Sequence, residues 1–248
     1  MNPSNTIIVI SRYQSDTSWT KEFTNRGYVT LIYEHGEFGS PSNPYNIGTN
    51  RGKEASVYLK YIIDKYDSLP DYTIFLHDKL TAWNHEGKLT DLVLNHANST
   101  NKNAKYYNFN NKLCGTIKND YWSHMKKYFK KYLSPYIGGI EYYGDFTVNE
   151  LCCAKFTVHK SKILQHDKKM YLDLFKWITT TNIDHEITGR LMEWTWRLIF
   201  NPKQYKLRIP LNIESPEYIN KIKNNANYKN NVQIISKRLK DKGYKIIS

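Results

Sequence analysis

An α/β fold with a mainly parallel central sheet is predicted here, on three observations. Apolar runs of strand length stand at Thr6 to Ser11, Tyr28 to Tyr33 and Tyr72 to Leu76. Between the second and third, Glu54 to Tyr66 places Tyr58, Ile62 and Tyr66 four residues apart, with Leu59 and Ile63 beside them, which is an amphipathic helix. The order strand, helix, strand, helix, strand over the first 80 residues is that of βαβ units, whose crossovers leave neighbouring strands parallel.

Ile7 to Ile10 is apolar without alternation, so the first strand is expected to be central and covered on both faces. Asp16 or Ser18 can cap a short helix through Trp19 and Phe23, which Gly27 ends. His35 to Arg51 holds Gly36, Gly39, Pro41, Pro44 and Gly48 and reads as a long loop of the kind kept for binding. Ser68 to Asp71 turns the chain into the third strand. The Asn-rich interval Asn95 to Lys112 lacks periodicity and reads as a mobile loop. Tyr121 to Leu133 is a basic helix, and Leu151 to Val158 alternates around Ala154, Phe156 and Val158 as a late strand. Lys168 to Thr179 and Glu186 to Phe200 are helices. Pro202 and Pro210 flank an edge segment, and Pro216 to Ser248 is a basic helical appendix. The expected organisation is a catalytic domain over residues 1–200 and a basic C-terminal extension over 201–248.

With 248 residues, 40% of them hydrophobic and 24% charged, the chain can bury a core, which excludes wholesale disorder. No apolar stretch approaches the roughly 18 residues of a membrane span. Met1 to Thr6 is polar and lacks the basic and apolar parts of a signal peptide, so the expected location is the cytosol, unless a leader has been removed. Cys114, Cys152 and Cys153 cannot build a disulfide framework and read as buried thiols. The net charge of +13 is uneven. Residues 1–120 hold 13 Lys and Arg against 12 Asp and Glu, so the second half carries nearly all of it, and residues 201–248 hold 11 basic against 3 acidic. A polyanion such as RNA, an acidic membrane face or a nucleoside diphosphate would profit from that field. A solvated basic surface needs no partner at all.

In an open parallel sheet, ligands sit beyond the carboxyl ends of the strands, where the strand order reverses. After the first strand come Ser11, Arg12, Tyr13 and Asp16: a hydroxyl, a cation for a diphosphate, an aromatic plane for a base and a carboxylate. After the third come His77, Asp78 and Lys79, then Trp83, Asn84 and His85. A carboxylate there can hold a divalent ion that bridges two phosphates. The phosphate loop, the Gly-x-Gly-x-x-Gly fingerprint and the Gly-x-Ser-x-Gly elbow are all missing, which removes most support for ATPase, nicotinamide oxidoreductase and α/β-hydrolase readings. The histidines do not cluster with the cysteines, so structural zinc is not expected. Most Tyr and Trp residues lie at helical spacing, where core packing explains them better than base stacking.

The run Ile8 to Tyr13, the block Asn46 to His77, the segment Cys152 to Val158 and the closing Gly189 to Phe200 together resemble the DUF3431 family. They span residues 7–200 in order, and Tyr66-Asp67-Ser68-Leu69-Pro70-Asp71, followed by Ile74-Phe75-Leu76-His77, is the most specific part. That family is similar to GT-A glycosyltransferases, Rossmann-related enzymes that include a chlorovirus domain decorating capsid protein. The resemblance implies a nucleoside diphosphate sugar, expected to be UDP-linked, as co-substrate, and a glycan or glycoprotein acceptor. It implies donor contacts from Ser11, Arg12, Tyr13, Asp16, Arg51, Glu54, His77, Lys79 and Arg190. The usual Asp-x-Asp metal motif is replaced by His77-Asp78-Lys79. Asp78 with His77 is expected to ligate Mn²⁺ or Mg²⁺, the alternative being that Lys79 and Arg12 neutralise the diphosphate without an ion.

The same family layout follows a late strand with a helix bearing a catalytic carboxylate, the place taken here by Leu151 to Val158 and Glu193. For an inverting transfer Glu193 is the expected base, with Asp145 and Glu150 in reserve. Arg190, one turn before Glu193, could pair with it, and a purely structural ion pair with Arg190 or Arg197 is the competing reading. Glu54 opens its helix, where the helix dipole alone favours a carboxylate. Two other functions remain open: a nucleic-acid-binding protein using the basic second half, and a catalytically inactive sugar-binding relative. The Asn, Lys, Ile and Tyr excess fits an AT-rich genome, such as that of a large DNA virus, for which the location would be the host cytoplasm.

Overall fold

The computed structural model describes residues 1–36, 40–82, 85–110, 127–133, 135 and 154–201. It is a mixed α/β structure with a five-stranded open sheet flanked by helices. The strands are β1 (Thr6–Arg12), β2 (Val29–Glu34), β3 (Tyr72–His77), β4 (Tyr106–Asn108) and β5 (Phe156–His159), in the spatial order β2-β1-β3-β5-β4. β1 lies in parallel between β2 and β3, with Ser11 level with both Tyr33 and His77. β5 runs antiparallel to β3 and to β4, placing Phe75 opposite Phe156.

The helices are α1 (Lys21–Thr24), α2 (Glu54–Lys65), α3 (Leu89–Asn98), α4 (Lys160–Ile163), α5 (Lys168–Thr180) and α6 (His185–Phe200). Successive strand residues face opposite sides of a sheet, and both sides of β1 are apolar, so the chain builds a core on each face. Val9 and Phe75 meet Tyr58, Tyr61 and Ile62 of α2, Leu174 of α5 and Trp196 of α6. Ile8, Ile10, Ile74 and Leu76 meet Phe23, Leu89 and Val93 on the other face. The central position of β1 and its cover on both faces agree with the sequence reading, as do β2, α2, β3, α5 and α6 to within two residues.

Two expectations need correction. The interval Asn95 to Lys112 is not simply a loop: α3 occupies it to Asn98, and β4 pairs with β5 inside it. Leu89, Val93, Leu94 and Ala97 bury the stripe that makes α3 a helix, and it begins before the Asn-rich stretch. The short helix capped by Asp16 or Ser18 begins as a 3₁₀ turn, Ser18–Thr20, before α1. Asp16 accepts from both the backbone N–H and the hydroxyl of Ser18. Gly27, at φ 85°, does end that helix. The three cysteines, Trp83, Asn84, most of the basic helix Tyr121 to Leu133, residues 151–153 and everything from Pro202 on lie outside the described residues. Among the described residues no helix is long and apolar enough to cross a membrane.

Candidate functional site at the carboxyl ends of β1 and β3

The strand order reverses at β1, whose carboxyl end lies between those of β2 and β3. Loops from both sides converge there, and α2 begins over the same edge because its helix returns the chain to the start of β3. The exits of β1 and β3 are tied together. The backbone N–H of Tyr13 donates to Asp78 Oδ2 at 2.7 Å, and Trp19 Nε1–H donates to the Asp78 carbonyl at 3.0 Å. Asp78 is 6% exposed, so its carboxylate is buried between the two strand exits.

The Tyr13 ring turns toward β2, stacking on His35 with centroids 5.3 Å apart. This close approach requires Gly36: at φ +97°, a Cβ there would stand 2.7 Å from Tyr13 Cε2. His35 Nδ1–H donates to Asn50 Oδ1 at 2.7 Å. Burial lowers the His35 pKa, opposed by the Asn50 hydrogen bond and the Asp78 charge.

Two helices complete the crevice. Glu54, the first residue of α2, is hydrogen-bonded side chain to side chain with Glu193 of α6. Burial, and then the Glu193 charge, push the Glu54 pKa up to about 8. Arg190 Nη1–H donates to Glu193 Oε2 at 2.9 Å, so the expected Arg190–Glu193 pair exists. Lys53 precedes Glu54 at φ 52°, ψ −137°, a region rarely occupied by residues other than glycine, and reaches Glu186 Oε2 at 2.5 Å. Its stem packs against Gly189 of α6, leaving a Cβ at that position only 3.2 Å of room. Beneath the carboxyl pair, Tyr58 Oη–H donates to the Ala154 carbonyl at 2.7 Å. The Tyr58 pKa is held well above its ordinary value by burial, and then by the charges of Glu54, Asp78 and Glu193. Three carboxyl groups, from the start of α2, the exit of β3 and α6, therefore bear on one phenol.

Of the expected donor-binding residues, Ser11, Tyr13, Glu54, Arg190 and the catalytic candidate Glu193 gather around this crevice. Three others, Arg12, Asp16 and Arg51, are engaged elsewhere, and Lys79 stands at the exit of β3. Arg12 is ion-paired with Glu34 at 2.9 Å and donates from Nε to the Ser15 carbonyl, so its charge serves the loops that follow β1 and β2. Asp16 is committed to Ser18. Arg51 donates to the Thr181 carbonyl at 2.7 Å, joining the start of α2 to the α5–α6 connection. Lys79 is exposed, and its backbone N–H donates to His77 Nδ1 at 3.1 Å. Asp145 and Glu150 lie outside the described residues.

The expected metal ligands have the same difficulty. A hard divalent ion takes six or more oxygen ligands, in sites like these from carboxylates, water and substrate phosphates. Asp78 Oδ2 already accepts from Tyr13, and His77 Nδ1 from Lys79. Burial and then the charges of Lys155, His85 and Lys79 hold the His77 pKa down to about 3. Among the described residues no group of three or more His, Cys, Asp or Glu side chains could hold an ion. These residues do not by themselves make a resident metal centre.

Sequence reasoning missed His35, Asn50, Lys53, Tyr58 and Lys155. The Gly- and Pro-rich character of His35 to Arg51 signalled a binding loop without singling out residues within it. Tyr58 carried only its helical spacing. Lys155, wholly buried at the entry to β5, gave no signal, because an isolated Lys in an alternating strand is ordinarily exposed.

No curated protein and no solved structure matches the chain. A family model described as a protein of unknown function matches residues 7–210, covering all five strands but for Thr6, and α1 to α6. The chain belongs to that family, DUF3431.

Proposed function

We propose that the protein is a glycosyltransferase that takes a sugar from a nucleoside diphosphate sugar, uridine-linked, and passes it with inversion to a hydroxyl of a glycan or protein acceptor. The observation that carries the reading is the meeting of Glu193 and Glu54 over the carboxyl ends of β1 and β3. That edge is where open α/β sheets bind ligands. The likeness to GT-A enzymes adds a layout, a late strand and then a helix with a carboxylate, which β5 and α6 follow with α4 and α5 between them.

Transfer forms a bond from the acceptor oxygen to the anomeric carbon and breaks the bond from that carbon to the diphosphate, which leaves with the electron pair. Glu193 takes the acceptor proton as the new bond forms. Arg190 keeps one of its oxygens in place. Lys79, exposed just past β3, is the cation that meets the departing diphosphate. The partly exposed Tyr13 ring, backed by His35, offers the flat surface for the base.

The test incubates the full chain with UDP-glucose, UDP-galactose, UDP-N-acetylglucosamine and GDP-mannose, each with and without Mn²⁺, and measures free nucleoside diphosphate. Turnover of one donor, lost in Glu193→Gln while UDP still raises the Tm, supports the reading. Stabilisation by UDP without any turnover would make the protein a sugar-nucleotide binder. Stabilisation by a short RNA alone, falling steeply with salt, would overturn the reading in favour of nucleic-acid binding.

A further inference from the structure

The Glu54–Glu193 contact joins two carboxyl groups, which cannot hydrogen-bond to each other unless one carries a proton. Glu193 is held from two sides: Arg190 donates to Oε2, and Glu54 hydrogen-bonds to the same carboxyl group from the start of α2. Glu54 is fixed in turn. Its helix is locked to α6 by the Lys53–Glu186 ion pair and by the packing of Lys53 on Gly189.

A second, independent feature points to a ligand at the same edge of the sheet. Ser11 is 2% exposed, and its hydroxyl has no hydrogen-bond partner. It lies two residues beyond Val9 on β1, hence on the face of the sheet covered by α2 and α6, and level with His77 and Tyr33 at the edge where α2 begins. A buried hydroxyl left unpaired destabilises the fold that holds it. An incoming hydroxyl would satisfy it.

We propose that Glu54 is a positioning residue that holds one proton against Glu193, so that the pair carries a single negative charge and presents the free face of Glu193 to an acceptor hydroxyl bonded to Ser11. The identity of the reaction rests on the glycosyltransferase reading; the shared proton does not. The charged groups that bear on Glu54 are Lys53, just before its helix, and Glu193 on α6; Arg190 reaches Glu193 from the same helix, and the Asp78 charge reaches Tyr58 beneath the pair. In the resting pair the shared proton sits on Glu54. As the acceptor oxygen bonds to the anomeric carbon, its proton passes to Glu193, leaving the pair neutral. One proton returns to water after the products depart.

Two measurements test this. Difference infrared spectra of the full chain at neutral pH should show the carbonyl stretch of a protonated carboxylic acid, and Glu54→Gln should remove it. In donor turnover, Glu54→Gln should lower kcat about threefold, because the amide still donates to Glu193, and Glu54→Ala about thirtyfold. Wild-type kcat should fall on the alkaline side, and that limb should be missing in Glu54→Gln. An infrared band that Glu54→Gln leaves in place would overturn the proposal whatever the reaction is. So would equal losses in Gln and Ala, or an alkaline limb that survives. A band that behaves as expected, with no donor turned over, would leave the shared proton standing and remove the glycosyltransferase reading.

Discussion

Tyr13 and Asp78 are joined by a hydrogen bond from backbone to carboxylate, 2.7 Å long, that closes the exits of β1 and β3 on each other. The carboxylate expected to hold a metal thereby shapes the loop expected to hold the nucleotide. Asp78→Ala leaves the Tyr13 N–H without its partner and should cost about 1–3 kcal/mol. Asp78→Asn keeps an acceptor and should cost less. Urea midpoints measure both, and an Asn variant as unstable as the Ala variant would mean that the charge, not the acceptor, matters.

Glu34 gathers Arg12, the Ser40 N–H and Asn43 Nδ2–H around one carboxylate. The Asn43 hydrogen bond first, and then Ser40 and Arg12, lower its pKa. A carboxylate whose folded pKa is depressed adds stability that is present above its unfolded value, and loses it as pH falls through the folded one. Glu34→Gln should therefore cost about 1–2 kcal/mol at neutral pH. The difference from wild type should shrink as pH drops below that of an ordinary glutamate, in parallel denaturant titrations.

Glu54 has the opposite sign. Its folded pKa is raised to about 8, so between the unfolded value and there the folded state binds the extra proton. Wild-type stability should fall relative to Glu54→Gln as pH rises across that window and level off above it. The difference in Tm between the two proteins from pH 5 to 9 isolates this group, because other titrations are common to both.

Gly36 holds φ +97° under the Tyr13 ring. Gly36→Ala should cost about 1–3 kcal/mol through the strained backbone, and should push the ring off His35. Near-ultraviolet circular dichroism and a thermal melt report the two effects separately.

The sheet was largely legible because its parallel strands are short apolar runs punctuated by Gly27 and Pro70, and α2 because Tyr58 and Ile62 recur on one face. α3 and β4 were not. The Asn residues around them carry turn propensity, and β4 exists because β5 lies beside it, a tertiary cause that local composition does not register. Arg190 with Glu193 was legible as a pair within one helical turn. Arg12 with Glu34, Glu54 with Glu193, and the burial of Lys155 each depend on elements distant in the chain meeting at one edge. In the sequence the helix dipole alone accounts for Glu54, and only the packing of α6 brings Glu193 to it.

A crystal of the full chain soaked with UDP tests the central claim most directly. The account predicts the nucleotide at the carboxyl ends of β1 and β3, its base against Tyr13 and its diphosphate toward Lys79, with the Glu54–Glu193 side left for the sugar and the acceptor. UDP bound at another face of the sheet, or a crevice left empty at UDP concentrations that saturate the thermal shift, would contradict it.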